Sequence, residues 1–286
     1  MNVDAATAIQ QWIDVLGQSA DGGELERAAV NIAEAGDREA VEILGQLLGH
    51  RSFLARLDRL DDPAECTFHL ARVLRALARH PRPEVGELAV SLANNPEFAE
   101  LDDRRIDLLP VIAAVRPMTD AGADVIRRAA GEGYASAVIP LLVANGSPRA
   151  LALFEQLVRQ SDRDAESRIA DLHAAVLPFR TEMLVLESVE RLLSSALEEP
   201  VRVALLETLF DYRSRDWFGP GRDPPRPPPW QGASTEALRL LGRIGEAAQR
   251  QGLPDDLAAP VEGTLAETRA IVSEREAASG SPNGTT

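Results

Sequence analysis

The residues that come nearest to a reactive pair are Cys66 and His69, three positions apart, with Asp62 and Glu65 close by in the chain. On one helical turn that spacing can bring two ligands to one metal ion, but a zinc centre needs three or four, and no CxxC or HxxxH pattern accompanies the pair. Read as nucleophile and base, the same two residues lack a third group to orient the imidazole and a turn to supply oxyanion donors. Cys66 also falls on an apolar stripe, where a free thiol behaves as a small hydrophobe. No P-loop, GxGxxG or GxSxG pattern occurs. The paired carboxylates Asp61-Asp62, Asp102-Asp103, Glu198-Glu199 and Asp255-Asp256 are adjacent in sequence. Most fall at expected helix boundaries, where negative charge complements the N-terminal end of the helix dipole. No catalytic residue, metal or cofactor is therefore expected.

Two features point to binding. Arg72, Arg75 and Arg79 recur at i, i+3 and i+7 and share one helix face, a row that His69 and Arg82 extend and that Arg104 and Arg105 of a neighbouring helix could join. Such a row can hold a phosphate or an acidic peptide, or it can be a solvated face paired to carboxylates. The second feature is the stretch 216–232, DWFGPGRDPPRPPPWQG, in which Trp217, Phe218, Arg222, Arg226 and Trp230 are set among prolines. Proline ends helices and stiffens loops, and Trp and Arg are enriched where proteins bind one another. The alternative is that the Trp rings fold back over helix ends, since Trp is highly buried on average.

The elements that must position these groups are helices. Hydrophobic residues make up 45% of the 286, but aromatic residues only 4%, so the core is built from Ala, Leu and Val, which suits close helix packing better than a sheet. Leu25, Ala28, Ala29, Ile32 and Ala33 form an i, i+3, i+4, i+7, i+8 stripe; Gly36-Asp37 ends that helix and caps the next, which carries Val41, Leu44, Leu47 and Leu48. The pattern continues through a helix over 63–80 carrying Leu70, Val73, Leu74 and Leu77, another with Val85, Leu88 and Leu92, and Ile106, Leu109, Ile112 and Ala113 up to Pro117. Helices over 124–130 and 135–144 flank Gly131-Glu132-Gly133, and Asn145-Gly146-Ser147-Pro148 reads as stop and restart, with Ser147 as N-cap and Pro148 in the first turn. Stripes led by Leu151, Ile169, Leu186, Leu205, Leu238 and Leu257 follow. The small, polar residues 277–286 read as a disordered tail.

Short amphipathic helices joined by short turns make antiparallel pairs, and a stripe too wide for one partner stacks pairs side by side; a compact irregular bundle is the rival architecture. Residues 28–48, AAVNIAEAGDREAVEILGQLL, resemble the HEAT-like repeat of bilin-lyase subunits: an Ala-rich helix, a Gly-Asp turn, and an Ala-Val helix ending in Leu-Leu. Residues 125–143, VIRRAAGEGYASAVIPLLV, and 143–158, VANGSPRALALFEQLV, are similar. The likeness covers about a third of the chain, without a strict period. It implies one α-solenoid domain over 1–276, with a Pro/Trp loop inserted at 214–234, and a binding role. It does not imply lyase chemistry, since function lies in the site and not the fold.

Charge narrows the partners. All 30 basic residues are Arg, and the net charge is −15, which disfavours nucleic acid and anionic membranes and favours a basic protein or peptide. The single cysteine and the absence of a leader pattern or a long apolar run make the cytoplasm the default. The expected function is a non-enzymatic interaction module: an adaptor, a scaffold, or an inhibitor of the immunity type. The alternative is a HEAT-repeat enzyme or enzyme subunit, similar to bilin lyases or to alkyl-base DNA glycosylases; the latter would require a continuous basic groove.

Overall fold

A computed structural model describes residues 3–58, 68–99, 104–160, 163–210 and 229–280. All regular structure among the described residues is helical. The sequence reads as one domain; the contacts gather into two compact units, Met1–Leu141 and Leu142–Thr286.

The first unit contains α1 (Val3–Gln18), α2 (Gly22–Ala35), α3 (Arg38–Leu48), α4 (Arg51–Asp58), α5 (Phe68–Arg79), α6 (Pro83–Ala93), α7 (Pro96–Ala99), α8 (Arg104–Ala114) and α9 (Asp120–Ala129). The stripe residues of α2, Leu25, Ala28, Ala29, Ile32 and Ala33, are all buried. The α2–α3 turn forms by the expected chemistry. Gly36 ends α2 at φ +62°, the left-handed conformation that costs a residue with a Cβ, and Asp37 accepts a hydrogen bond from the Ala40 N–H at 3.1 Å. The start of the helix read over 63–80 falls outside the described residues; the described part, α5, buries Leu70, Val73, Leu74 and Leu77. α9 begins four residues ahead of the expected 124, because Thr119 accepts from the Gly122 N–H at 3.1 Å and caps it there.

Helix contacts in this unit run in two rows. α2 packs on α5 and α5 on α8; α3 packs on α6 and α6 on α9. Three polar contacts tie the first pair to the next at one constant offset of 46 residues: Arg72 to Glu26, Arg82 to the Gly36 carbonyl, and Asn95 to the Gly49 carbonyl. The constant offset means that the two helix pairs keep one register across these three contacts.

Helix α10 (Ala135–Asn145) follows α9 through a wide turn in which Gly133 takes φ +104°, at the glycines that the sequence assigns to a break. Pro140 continues α10, Pro110 continues α8 and Pro260 continues the last helix, α16 (Asp255–Gly280), so these prolines do not act as stops.

The second unit contains α11 (Pro148–Arg159), α12 (Ala165–Val176), α13 (Met183–Leu193), α14 (Glu199–Phe210), α15 (Thr235–Gln251) and α16 (Asp255–Gly280). Ser147 holds the N-cap position of α11 with Pro148 in the first turn, but its hydroxyl donates to Asn145 Oδ1 at 2.5 Å and caps no helical N–H. Here α11 packs on α13 and α13 on α15, while α12 packs on α14 and α14 on α16. The starts of α11 and α13, Pro148 and Met183, and of α12 and α14, Ala165 and Glu199, are both about 35 residues apart. α15 starts later, at Thr235, because residues 211–228 intervene. Leu257, Val261 and Leu265 of α16 are buried, and the helix continues through Gly280, into the stretch that the sequence assigns to the tail. None of the described helices is long and apolar enough to cross a membrane.

Candidate functional site

The row of α3 and α6 carries an open groove of about 490 Å³. Its floor is apolar, from Val41, Leu88 and Leu92, and its rim carries Glu42, Glu84 and Glu87. Helical spacing puts these side chains there: Val41 and Glu42 are consecutive residues of α3, one facing in and one out, while Glu84, Glu87 and Leu88 recur at i, i+3 and i+4 on α6. Gly45 lets the two helices approach, since a Cβ there would overlap Leu88 Cδ1. Arg38, one turn before Glu42, is bonded to it at 3.1 Å. The Glu42 hydrogen bond first, then the charges of Glu42, Glu84 and Glu87, hold the Arg38 guanidinium above its ordinary pKa, so the three carboxylates act on one region. His50 and Ser91 also line it. The groove can desolvate an apolar side chain while its rim pairs with cations.

The arginine row of α5 borders a different groove, of about 580 Å³, lined by Glu26 and Val30 of α2 and by Arg72, Arg75, Ala78 and Arg79. All three arginines are exposed. Arg72 donates to Glu26 Oε1 at 3.1 Å, and the other oxygen of Glu26 is in contact with His69 Nδ1. Arg75 and Arg79 make no hydrogen bond or ion pair with any described residue. Arg82 leaves the row, turning back to the Gly36 carbonyl. Arg104 and Arg105 open α8, which packs on α5, but their side chains lie outside the described residues, as does Cys66. Among the described residues, no three of His, Cys, Asp and Glu converge as metal ligands would.

Of the Pro/Trp segment, Trp217, Phe218, Arg222 and Arg226 lie outside the described residues. Trp230 is described, and it is fully buried in the second unit. Arg180 lies over its ring, and Arg275 of α16 holds the adjoining turn through the Gln231 and Ala233 carbonyls at 2.8 and 2.7 Å. Trp230 therefore belongs to the packing of this unit and not to its surface.

The sequence gives no sign of the polar groups buried in the second unit. Glu155 of α11 accepts from Ser188 Oγ at 2.8 Å, from Arg191 Nε at 2.9 Å and from Arg159 at 3.1 Å. Burial pushes its carboxyl up, but the bonds from Arg191 and Ser188, the Arg191 charge and the Arg159 bond outweigh it and hold the pKa below the ordinary range. Arg168 donates to Glu198 at 2.8 Å, and Arg163 to Asp171 at 2.5 Å. Thr208 donates to the Ala204 carbonyl, so His173 Nδ1–H donates to the Thr208 oxygen at 2.6 Å. Glu155, Arg168 and His173 bond residues 30 or more positions away, whereas Arg163–Asp171 and Thr208–Ala204 are local, and Arg168 Nε is buried without a hydrogen bond; the long-range bonds tie the helices of this unit together. A spacing signal could have exposed only Glu155–Arg159, an i, i+4 pair.

The carboxylate pairs that are described sit at helix starts. Glu199 opens α14 and bonds Arg202, and Asp255 and Asp256 lie in the first turn of α16. Asp61-Asp62 and Asp102-Asp103 lie outside the described residues. Comparison with protein-family models, with curated proteins and with solved structures finds no match to this chain.

Proposed function

We propose that this chain is a HEAT-like α-solenoid acting as a non-enzymatic interaction module, presenting its helical surface to a basic protein or peptide as an adaptor, scaffold or immunity-type inhibitor. The observation that carries this reading is the α3–α6 groove, with three glutamates over an apolar floor. A partner segment with an apolar anchor flanked by Lys or Arg satisfies both parts at once: the anchor leaves water and the cations meet the rim. The net charge of −15 adds steering toward basic partners. The helix rows within each unit and the 46-residue offset support the repeat assignment. Trp217, Phe218, Arg222 and Arg226 are a second contact surface in this proposal, on sequence grounds; Trp230, being buried, is not part of it.

The test is affinity capture from a native lysate on the immobilised full chain, on a Glu42→Lys/Glu84→Lys/Glu87→Lys variant and on a chain lacking 216–232, with captured proteins identified by mass spectrometry. A basic partner retained by the wild type and lost by the triple variant supports the groove. A partner set unchanged by the triple variant rules the groove out, and one unchanged by the deletion removes the loop.

A further inference from the structure

We propose that the groove between α2 and α5 is a second binding site, separate from the acidic groove, and that it takes an extended acidic peptide segment with Asp or Glu at alternate positions. Arg75 and Arg79 project into it and have no carboxylate partner among the described residues, in a chain with 45 acidic residues to 30 basic ones. Among other exposed arginines, Arg38, Arg127, Arg239 and Arg269 are paired, while Arg27 and Arg250, like Arg75 and Arg79, have no hydrogen bond or ion pair with a described residue; Arg75 and Arg79 differ in lining one groove together. Arg72 has its guanidinium tethered by Glu26, which fixes the edge of the groove.

Spacing selects the ligand. With a rise of about 1.5 Å per residue, Arg75 and Arg79 lie roughly 6 Å apart along α5, and Arg72 and Arg79 roughly 10.5 Å. An extended chain advances about 3.3 Å per residue, so carboxylates two residues apart are roughly 6.6 Å apart on one face and match Arg75 and Arg79. Val30 and Ala78 line the groove between the two helices and offer apolar surface to a small side chain between the acidic ones. The expected bonds are charge-assisted guanidinium–carboxylate pairs.

The test is fluorescence anisotropy of fluorescein-labelled acetyl-Ala-Glu-Ala-Glu-Ala-Glu-amide with the full chain at about 0.15 M salt, where the Debye length of about 8 Å screens the net charge. Saturable binding is expected. Arg75→Gln/Arg79→Gln should weaken it at least about tenfold, roughly the loss of one charge-assisted pair. Arg250→Gln, at an exposed site on α15, should leave it unchanged. Both positions of the double variant are exposed, and its circular dichroism should match the wild type. Glu42→Lys/Glu84→Lys/Glu87→Lys separates the two grooves: it should not lower peptide affinity, whatever it does to a basic partner. The proposal is overturned by absence of saturable binding, by equal loss in Arg250→Gln, by affinity retained in the double variant, or by displacement of the peptide by inorganic phosphate or a short DNA duplex at matched ionic strength.

Discussion

The guanidinium carbon of Arg180 lies 5.5 Å from the ring centroid of Trp230, and both residues are buried. A cation over an indole face is attracted by the ring quadrupole, and more strongly where water is excluded. The contact, together with the Arg275 bonds to the Gln231 and Ala233 carbonyls, fixes the C-terminal end of the Pro/Trp segment on the second unit. Trp230→Ala should cost about 3–5 kcal/mol, the range for deleting a large buried aromatic side chain. Urea unfolding followed by far-ultraviolet circular dichroism measures it, with Trp230→Phe expected to lose less. A loss under about 1 kcal/mol would mean the ring is not packed as described.

The Glu155 network gives a pH dependence of known sign. Its folded-state pKa is depressed, so its contribution to stability is complete above the ordinary carboxylate range and is lost as pH falls through that range toward the folded value. Glu155→Gln should destabilise by about 1–3 kcal/mol at neutral pH and flatten that acid limb. Ser188→Ala removes a single donor, should cost about 1 kcal/mol, and should keep the limb. Chemical denaturation at several pH values between neutral and acid separates the two outcomes.

Gly45 and Leu88 define how closely α3 approaches α6. Gly45→Val drives its side chain into Leu88 and should destabilise by about 1–3 kcal/mol, as overpacking does. Leu88→Ala in the same chain vacates that space, so the double variant should be more stable than the sum of the single losses predicts. Strict additivity in a double-mutant cycle would show that the two side chains do not meet.

Binding of a basic partner to the acidic rim should weaken with ionic strength, because the rim glutamates are exposed or half-buried and are screened within a Debye length. Raising salt from about 0.05 to 0.2 M should lower the association rate more than it raises the dissociation rate. Stopped-flow or surface plasmon resonance reads both rates. A salt-independent association rate would place the partner elsewhere.

The sequence by itself determined the helices, because their signals are local. The 3.6-residue stripe marked the faces that are buried in α2, α5, α11 and α14, and Gly36-Asp37 and Gly133 marked turns, since a positive φ and a capping carboxylate are properties of one or two residues. It also located the arginine row, because i, i+3 and i+7 is a local relation. What only the tertiary structure decided are relations between residues far apart in the chain. The 46-residue offset linking Glu26 to Arg72 and Gly49 to Asn95 is invisible to a search for one strict period, because α4 and the residues before α5 separate the α2–α3 pair from α5, as residues 211–228 separate α14 from α15. The burial of Glu155, Arg168 and His173 was hidden because their partners Ser188, Glu198 and Thr208 lie 30 or more residues away in the chain. The glutamates of α3 and α6 became one rim only when packing on Gly45 brought the two helices together. Periodicity tells a helix which face to bury; which neighbour it meets depends on side chains that the local pattern does not contain.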